Sequence, residues 1–161
     1  MFALCSALTE IPQLDTSKVT NMEEMFVNCS SLTEIPQLDT SKVTNMYWLF
    51  RSCSSLTSLP LLNAESVTAV TQMLHSCKSL ATFGGLQNLG QAYLTTQATN
   101  YGAYKLDLSS CSKLIHDSLM NVINNLYDIA TKGVKTQQLV LGSTNIAKLT
   151  AEEIAIATNK G

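Results

Sequence analysis

Residues 29–52 read CSSLTEIPQLDTSKVTNMYWLFRS, and the chain repeats this stretch on both sides. Cys5 opens CSALTEIPQLDTSKVTNMEEMFVN, and Cys53 opens CSSLTSLPLLNAESVTAVTQMLHS. Cys77 opens a decaying fourth copy, CKSLATFGGLQNLG. The spacing is 24 residues each time. A fixed period in this range is the signature of a solenoid, because one unit cannot bury its apolar face alone and stacked units can.

The apolar positions recur with the period. One column holds Leu8, Leu32, Leu56 and Leu80, and a second holds Ile11, Ile35, Leu59 and Phe83. A third holds Leu14, Leu38, Leu62 and Leu86. Val19, Val43 and Val67 follow, then Met22, Met46 and Val70, with Phe26, Phe50 and Leu74 behind. Leu8–Ile11 and its copies read as one short strand per coil, ended by Pro12, Pro36 and Pro60, since proline cannot donate to a ladder. Asp15-Thr16-Ser17 and Asp39-Thr40-Ser41 carry turn or capping chemistry. A helical turn over about Asn21–Phe26 is expected to return the chain.

The cysteines follow the same register. Cys5, Cys29, Cys53 and Cys77 occur once per copy, and none stands in a CxxC or Cys/His pattern with zinc spacing. Reduced, buried thiols in one core column are the expectation, with Cys111 belonging to a later, different repeat.

The pattern changes after the fourth copy. Residues 84–104 form a transitional coil and loop, with Gly84, Gly85, Gly90 and Gly102 as breakers and Tyr93, Tyr101 and Tyr104 as aromatics. The tyrosines have two readings, packing against the side of the stack or forming a functional loop around 95–103. Residues 105–161 carry longer strand–helix repeats. Leu106-Asp107-Leu108 and Leu139-Val140-Leu141 are matching strand signals 33 residues apart. Leu119, Val122, Ile123, Leu126 and Ala130 predict a helix over about 117–131, with Asp117 as cap and Gly133 as stop. Thr150 and Glu153 form a capping-box pair ahead of a helix over about 151–159.

The pattern MFxxCSSLTxIPxLDTSKVTNM, as Met25-Phe26, Cys29-Ser30-Ser31-Leu32, Ile35-Pro36, Leu38-Asp39-Thr40-Ser41 and Val43-Thr44-Asn45-Met46, resembles the leucine-rich repeats of BspA-like bacterial surface proteins. The likeness covers residues 1–83 closely. It implies a right-handed solenoid, and with the longer units it gives an α/β repeat fold: a leucine-rich-repeat solenoid with short 24-residue coils followed by longer strand–helix repeats. It also implies an extracellular or cell-surface setting and adhesion to a host or matrix protein; a glycan partner is the expectation of an exposed aromatic, which can stack on a sugar ring. The whole of 1–161 then reads as a single solenoid domain.

Composition narrows the partners. A net charge of −2 with 14% charged residues gives no electrostatic case for nucleic acid. No apolar run reaches the roughly 20 residues that span a bilayer. Met1-Phe2 stands where Met25-Phe26 stands in the next copy, so the chain reads as a segment of a longer array, and its exposed first coil predicts end-to-end self-association.

Catalytic chemistry finds no pattern. His75 and His116 stand outside any nucleophile or metal motif, Glu23-Glu24 and Glu152-Glu153 are neighbours without an evident cleft, and nothing calls for a cofactor or a metal. Binding is the better expectation. Glu23-Glu24 of one copy becomes Tyr47-Trp48 in the next and Thr71-Gln72 in the third, with Arg51 and His75 close by. Tyr, Trp and Arg are the residue types enriched at binding hot spots, so Tyr47, Trp48, Arg51 and His75 are the candidate site. The alternative is that Trp48 folds down as packing. A polar strand face with Thr9, Glu10, Thr33, Glu34, Thr57 and Ser58 is a weaker candidate. Two other roles stay open: a spacer presenting another domain, and an accessory domain of a larger enzyme.

Overall fold

The computed structural model describes residues 1–94, 105–132 and 137–160. The expected tyrosine loop with Tyr101 and Tyr104, the stop at Gly133 and the Tyr93 side chain lie outside the described residues.

The 24-residue units stack in parallel, each hydrogen-bonded to the next. Thr44 N donates to Thr20 O and Thr68 N to Thr44 O, both at 2.8 Å. Asn21 bridges to Asn45 and Asn45 to Ala69 in parallel register. The columns therefore fall on top of one another. Leu32, Leu56 and Leu80 are fully buried, as are Val43 and Val67. The rings of Phe2, Phe26 and Phe50 stack 5.5 Å apart and 3° from parallel.

The thiols form one ladder. Cys29 Sγ donates to Phe2 O at 3.0 Å, while Cys53 and Cys77 donate to Phe26 O and Phe50 O at 3.1 Å. All five cysteines are free, and Cys5 alone among them is exposed. Burial pushes the Cys53 thiol up to about 12 and raises Cys29 and Cys77 as well. These thiols stay protonated and inert, the condition of a structural cysteine.

Strands appear where a proline gives way to glycine. No strand forms at Leu8–Ile11 or its copy in the second coil. In the third and fourth coils, β1 (Ser58–Leu59) pairs with β3 (Thr82–Phe83), and β2 (Leu62–Asn63) pairs with β4 (Leu86–Gln87). Gly84 occupies the column of Pro12, Pro36 and Pro60, and its N–H donates to Leu59 O at 3.0 Å. Proline has no such N–H, so the earlier coils lack this rung. A Cβ on Gly84 would lie 2.3 Å from Leu61 N, so the glycine also permits the close approach.

The expected helical turn at 21–26 is instead a run of tight turns. Met25 N bonds Met22 O, Val27 N bonds Glu24 O, and Cys29 N bonds Phe26 O. Two residues per coil take left-handed backbone: Glu24 and Asn28, Trp48 and Ser52, Gln72 and Ser76, with φ between 54° and 65°. A positive φ at the third position is what such tight turns use.

The longer units extend this stack. Here β5 (Lys105–Asp107) pairs in parallel with β6 (Gln138–Val140), as a separate two-stranded sheet. Cys111, in the first of these later units, continues the thiol ladder, its Sγ donating to Leu74 O at 3.5 Å. Asn145 takes the next rung, fully buried, with Nδ2 donating to Leu108 O, Leu141 O and, at 3.4 Å, Cys111 O. Helix α1 spans His116–Asn125 and ends earlier than the periodicity suggests. Leu126 turns extended and bridges to Leu89, which draws Leu126 and Ile129 into the core. Ile115, with no side-chain cap bond, holds the position expected of Asp117, which sits in the first helical turn. A short α2 (Ser143–Ile146) precedes α3 (Ala151–Asn159), and α3 carries the expected capping box of Thr150 and Glu153.

Candidate binding surface

Tyr47, Trp48 and Arg51 meet on the flank of the second coil. Trp48 takes left-handed backbone (φ 56°). The Tyr47 ring lies 4.7 Å from its ring at 22°, and the Arg51 guanidinium carbon sits 4.2 Å over the indole. Such a cation–π contact fixes the guanidinium while leaving its N–H groups for other acceptors. All three residues are half-buried. Trp48 is thus neither freely exposed nor core: its Nε1 is buried without a partner, while part of the ring lines a surface cleft.

That cleft has a volume of about 330 Å³ and is bounded by Leu4, Glu24, Asn28, Trp48, Arg51 and Ser52, among others. It runs from residues 3–4 across the first two coils. Arg51 makes no ion pair among the described residues, whose ion pairs are Lys105–Asp107 and His116 with Asp117 and Glu153. Glu24 shares the cleft with Arg51 and does not neutralise it.

His75 is one coil on and exposed, but it belongs elsewhere. Its Nδ1 lies 3.1 Å from Ser76 Oγ, and the ring lines a separate hollow of about 130 Å³ with Lys105 and Asp107. Three of the four residues singled out from the sequence are therefore together and the fourth is apart. Glu24 and Asn28 complete the cleft. Both were visible as members of the preceding copy, yet only the stacking shows that they face Trp48.

The strand-face threonines spend their hydroxyls internally, Thr33 Oγ1 on Thr9 O and Thr57 Oγ1 on Thr33 O. A wider groove of about 640 Å³ runs along the other flank past Gln13, Asp15, Gln37 and Asp39. Its amides donate to the next coil, Gln13 Nε2 to Gln37 O and Gln37 Nε2 to Leu61 O. The carboxylates hold Ser17 and Ser41, and those bonds keep both below the usual carboxylate range. This groove looks inward in its bonding.

His116 meets two carboxylates, Glu153 at 2.8 Å and Asp117 at 3.2 Å. Its pKa is raised by these bonds, that to Asp117 first. The Thr150 backbone bond and His116 hold Glu153 low. Both ends are solvated, and Glu153 is engaged in the cap of α3, so the pair ties α1 to α3. No group of three His, Cys, Asp or Glu side chains among the described residues could hold a metal ion. No helix among them is long and apolar enough to cross a membrane.

Stacked repeats with an aromatic–cation cleft on one flank define a repeat protein whose distinctive chemistry sits on its surface. Residues 1–105 match the family described as "Mycoplasma protein of unknown function, DUF285", and the chain belongs to that family. No curated protein and no solved structure matches the chain.

Proposed function

We propose that the chain is a leucine-rich-repeat solenoid of the BspA-like kind, serving as a non-catalytic binding module of a bacterial surface or secreted protein. Its ligand is a host or matrix protein, or a glycan. The observation that carries this reading is the Tyr47–Trp48–Arg51 cluster. Equivalent positions carry Glu23-Glu24 and Val27 in the first coil and Thr71-Gln72 and His75 in the third. A repeat that only had to stack would not need an aromatic pair and an unpaired arginine on one flank, and these are hot-spot residue types.

A screen against matrix proteins and a glycan panel tests it, with a Tyr47→Ala/Trp48→Ala double variant alongside. A hit lost in the double variant supports recognition at this cleft. A hit retained moves the site to another face. The absence of any hit leaves the spacer reading, which the regular stacking of the 24-residue copies favours. Dimer or higher species in light scattering at high concentration would support end-to-end association, for which the exposed Met1 and Leu4 provide apolar surface.

A further inference from the structure

We infer that the Trp48 cleft takes a carboxylated sugar, such as a uronic acid within a glycan chain. This rests on the recognition reading above and names its ligand class.

The first ground is the state of the backbone. The N–H groups of Leu4, Glu24, Asn28, Trp48 and Ser52 all donate to carbonyls of the next coil, at 2.8 to 3.3 Å. An extended peptide binds through free main-chain groups at a strand edge, and this flank offers no free N–H at these five positions. Recognition here must run through side chains.

The second ground is what those side chains are. The indole of Trp48 supplies an apolar wall, Asn28 and Ser52 supply a neutral polar rim, and Arg51 supplies a planar set of donors. An amphipathic ring against a wall, with hydroxyls bonded at the rim, fits a sugar. The guanidinium has no carboxylate of its own among the described residues and is held over the indole at 4.2 Å. Arginine matches a carboxylate with two parallel hydrogen bonds. About 330 Å³ lies at the small end of ligand sites, the size for a short sugar unit and not for a folded partner. Glu24 also lines the cleft and sets a sign: it opposes an anionic ligand that Arg51 attracts.

Trp48 is the sole tryptophan of the chain, so its fluorescence reports on this cleft. The intact chain is titrated with a uronate-containing oligosaccharide and with the same oligosaccharide after its carboxyls are reduced to alcohols. The expected result is a saturable change in emission with the uronate and binding at least about tenfold weaker for the reduced form, the scale of one lost charged hydrogen bond. Arg51→Gln should abolish the preference, Arg51→Lys should restore part of it, and Glu24→Gln should tighten the uronate. Circular dichroism of each variant checks that the stack is intact, and calorimetry repeats the measurement with Trp48→Phe. Equal affinity for both oligosaccharides overturns the carboxylate assignment and leaves recognition standing. The same holds if neither sugar binds while a matrix protein binds in a Trp48-dependent way. Failure of every ligand class in both experiments overturns the two readings together.

Discussion

The short coils and the longer units stack along the same direction but fill the interior differently. In the short coils the interior is apolar or thiol apart from Thr16 and Thr40, and Phe26, Phe50, Leu56 and Cys53 are fully buried. In the last of the longer units the same ladders pass through polar residues. Asn145 stands on the thiol ladder, and Lys148 follows it at the spacing at which Leu32 follows Cys29. Lys148 Nζ reaches back to Ser112 O and Leu114 O, at 2.8 and 2.6 Å. Lys160 Nζ does the same to Asn124 O and Leu126 O around the end of α1, where a cation also meets the helix dipole. Helix α1 buries Leu119, Val122 and Ile123, whereas α3 buries none of its residues fully. Stacking direction is thus kept by carbonyl acceptors of the preceding coil, and those accept from thiol, amide or ammonium alike. What differs is the apolar area behind them, and with it the local stability.

The strongest way to break this contrast is a matched pair of truncations. Leu56→Ala leaves a cavity in a fully buried column and should cost about 2–5 kcal/mol. Ile154→Ala on the half-buried face of α3 should cost about 1 kcal/mol, since less area leaves water. Urea unfolding followed by circular dichroism measures both. Equal costs would mean that the two regions are one uniform core.

The ladder itself can be tested at Asn145. Asn145→Ala strips the donors from Leu108 O and Leu141 O in a buried site and should cost about 1–3 kcal/mol. Asn145→Cys restores the residue of the short coils and should recover part of that loss in the same unfolding assay. A cysteine no better than alanine would show that the amide is required by the longer unit and not by the ladder.

The sequence and the structure agree best where the 24-residue period acts. Leu32, Leu56, Leu80, Val43 and Val67 could be placed inside because stacking puts equals on equals, whatever the local conformation. Leu8, Leu14 and Val19 are only partly buried, though still packed against that core. Local chemistry was also legible: the capping box of Thr150 and Glu153 needs only its own turn. The misses share another origin. Whether a coil forms strands depends on an N–H present at Gly84 and missing at proline, a contact between copies. The end of α1 is set by Leu89, from an earlier coil. The meeting of His116 with Glu153 depends on helix lengths that no period supplies. At the candidate site, the substitution of Tyr47-Trp48 for Glu23-Glu24 could be read directly, but not that Arg51 caps the indole while His75 turns away to Ser76.

The His116 clasp gives a smaller effect with a defined sign. The folded state raises the His116 pKa, so its contribution is fully present below the ordinary histidine value of about 6.5 and is lost as pH rises through the folded pKa. Glu153 runs oppositely: held low, it contributes above the ordinary glutamate range and loses that as pH falls through its folded value. Thermal unfolding of the natural chain and of His116→Gln between pH 5 and 9 should converge as pH rises. Hydrogen exchange should place the loss in α3. A pH-independent difference would mean that His116 acts there by packing alone.

The smallest expected effect bears on why Trp48 is where it is. Glu24, Trp48 and Gln72 hold the same left-handed backbone, with φ of 55°, 56° and 54°. This region costs an ordinary residue about 1–2 kcal/mol, and asparagine adopts it more readily. Gln72 is exposed, so Gln72→Asn relieves strain without removing a core contact and should stabilise by about 0.5 kcal/mol. Trp48→Asn relieves the same strain but loses the Tyr47 and Arg51 contacts, and should come out neutral or destabilising. If both variants gain equally, the indole adds nothing to the fold in return for its strain. Its place at that turn would then rest on the cleft alone, and the sugar titration would decide its value.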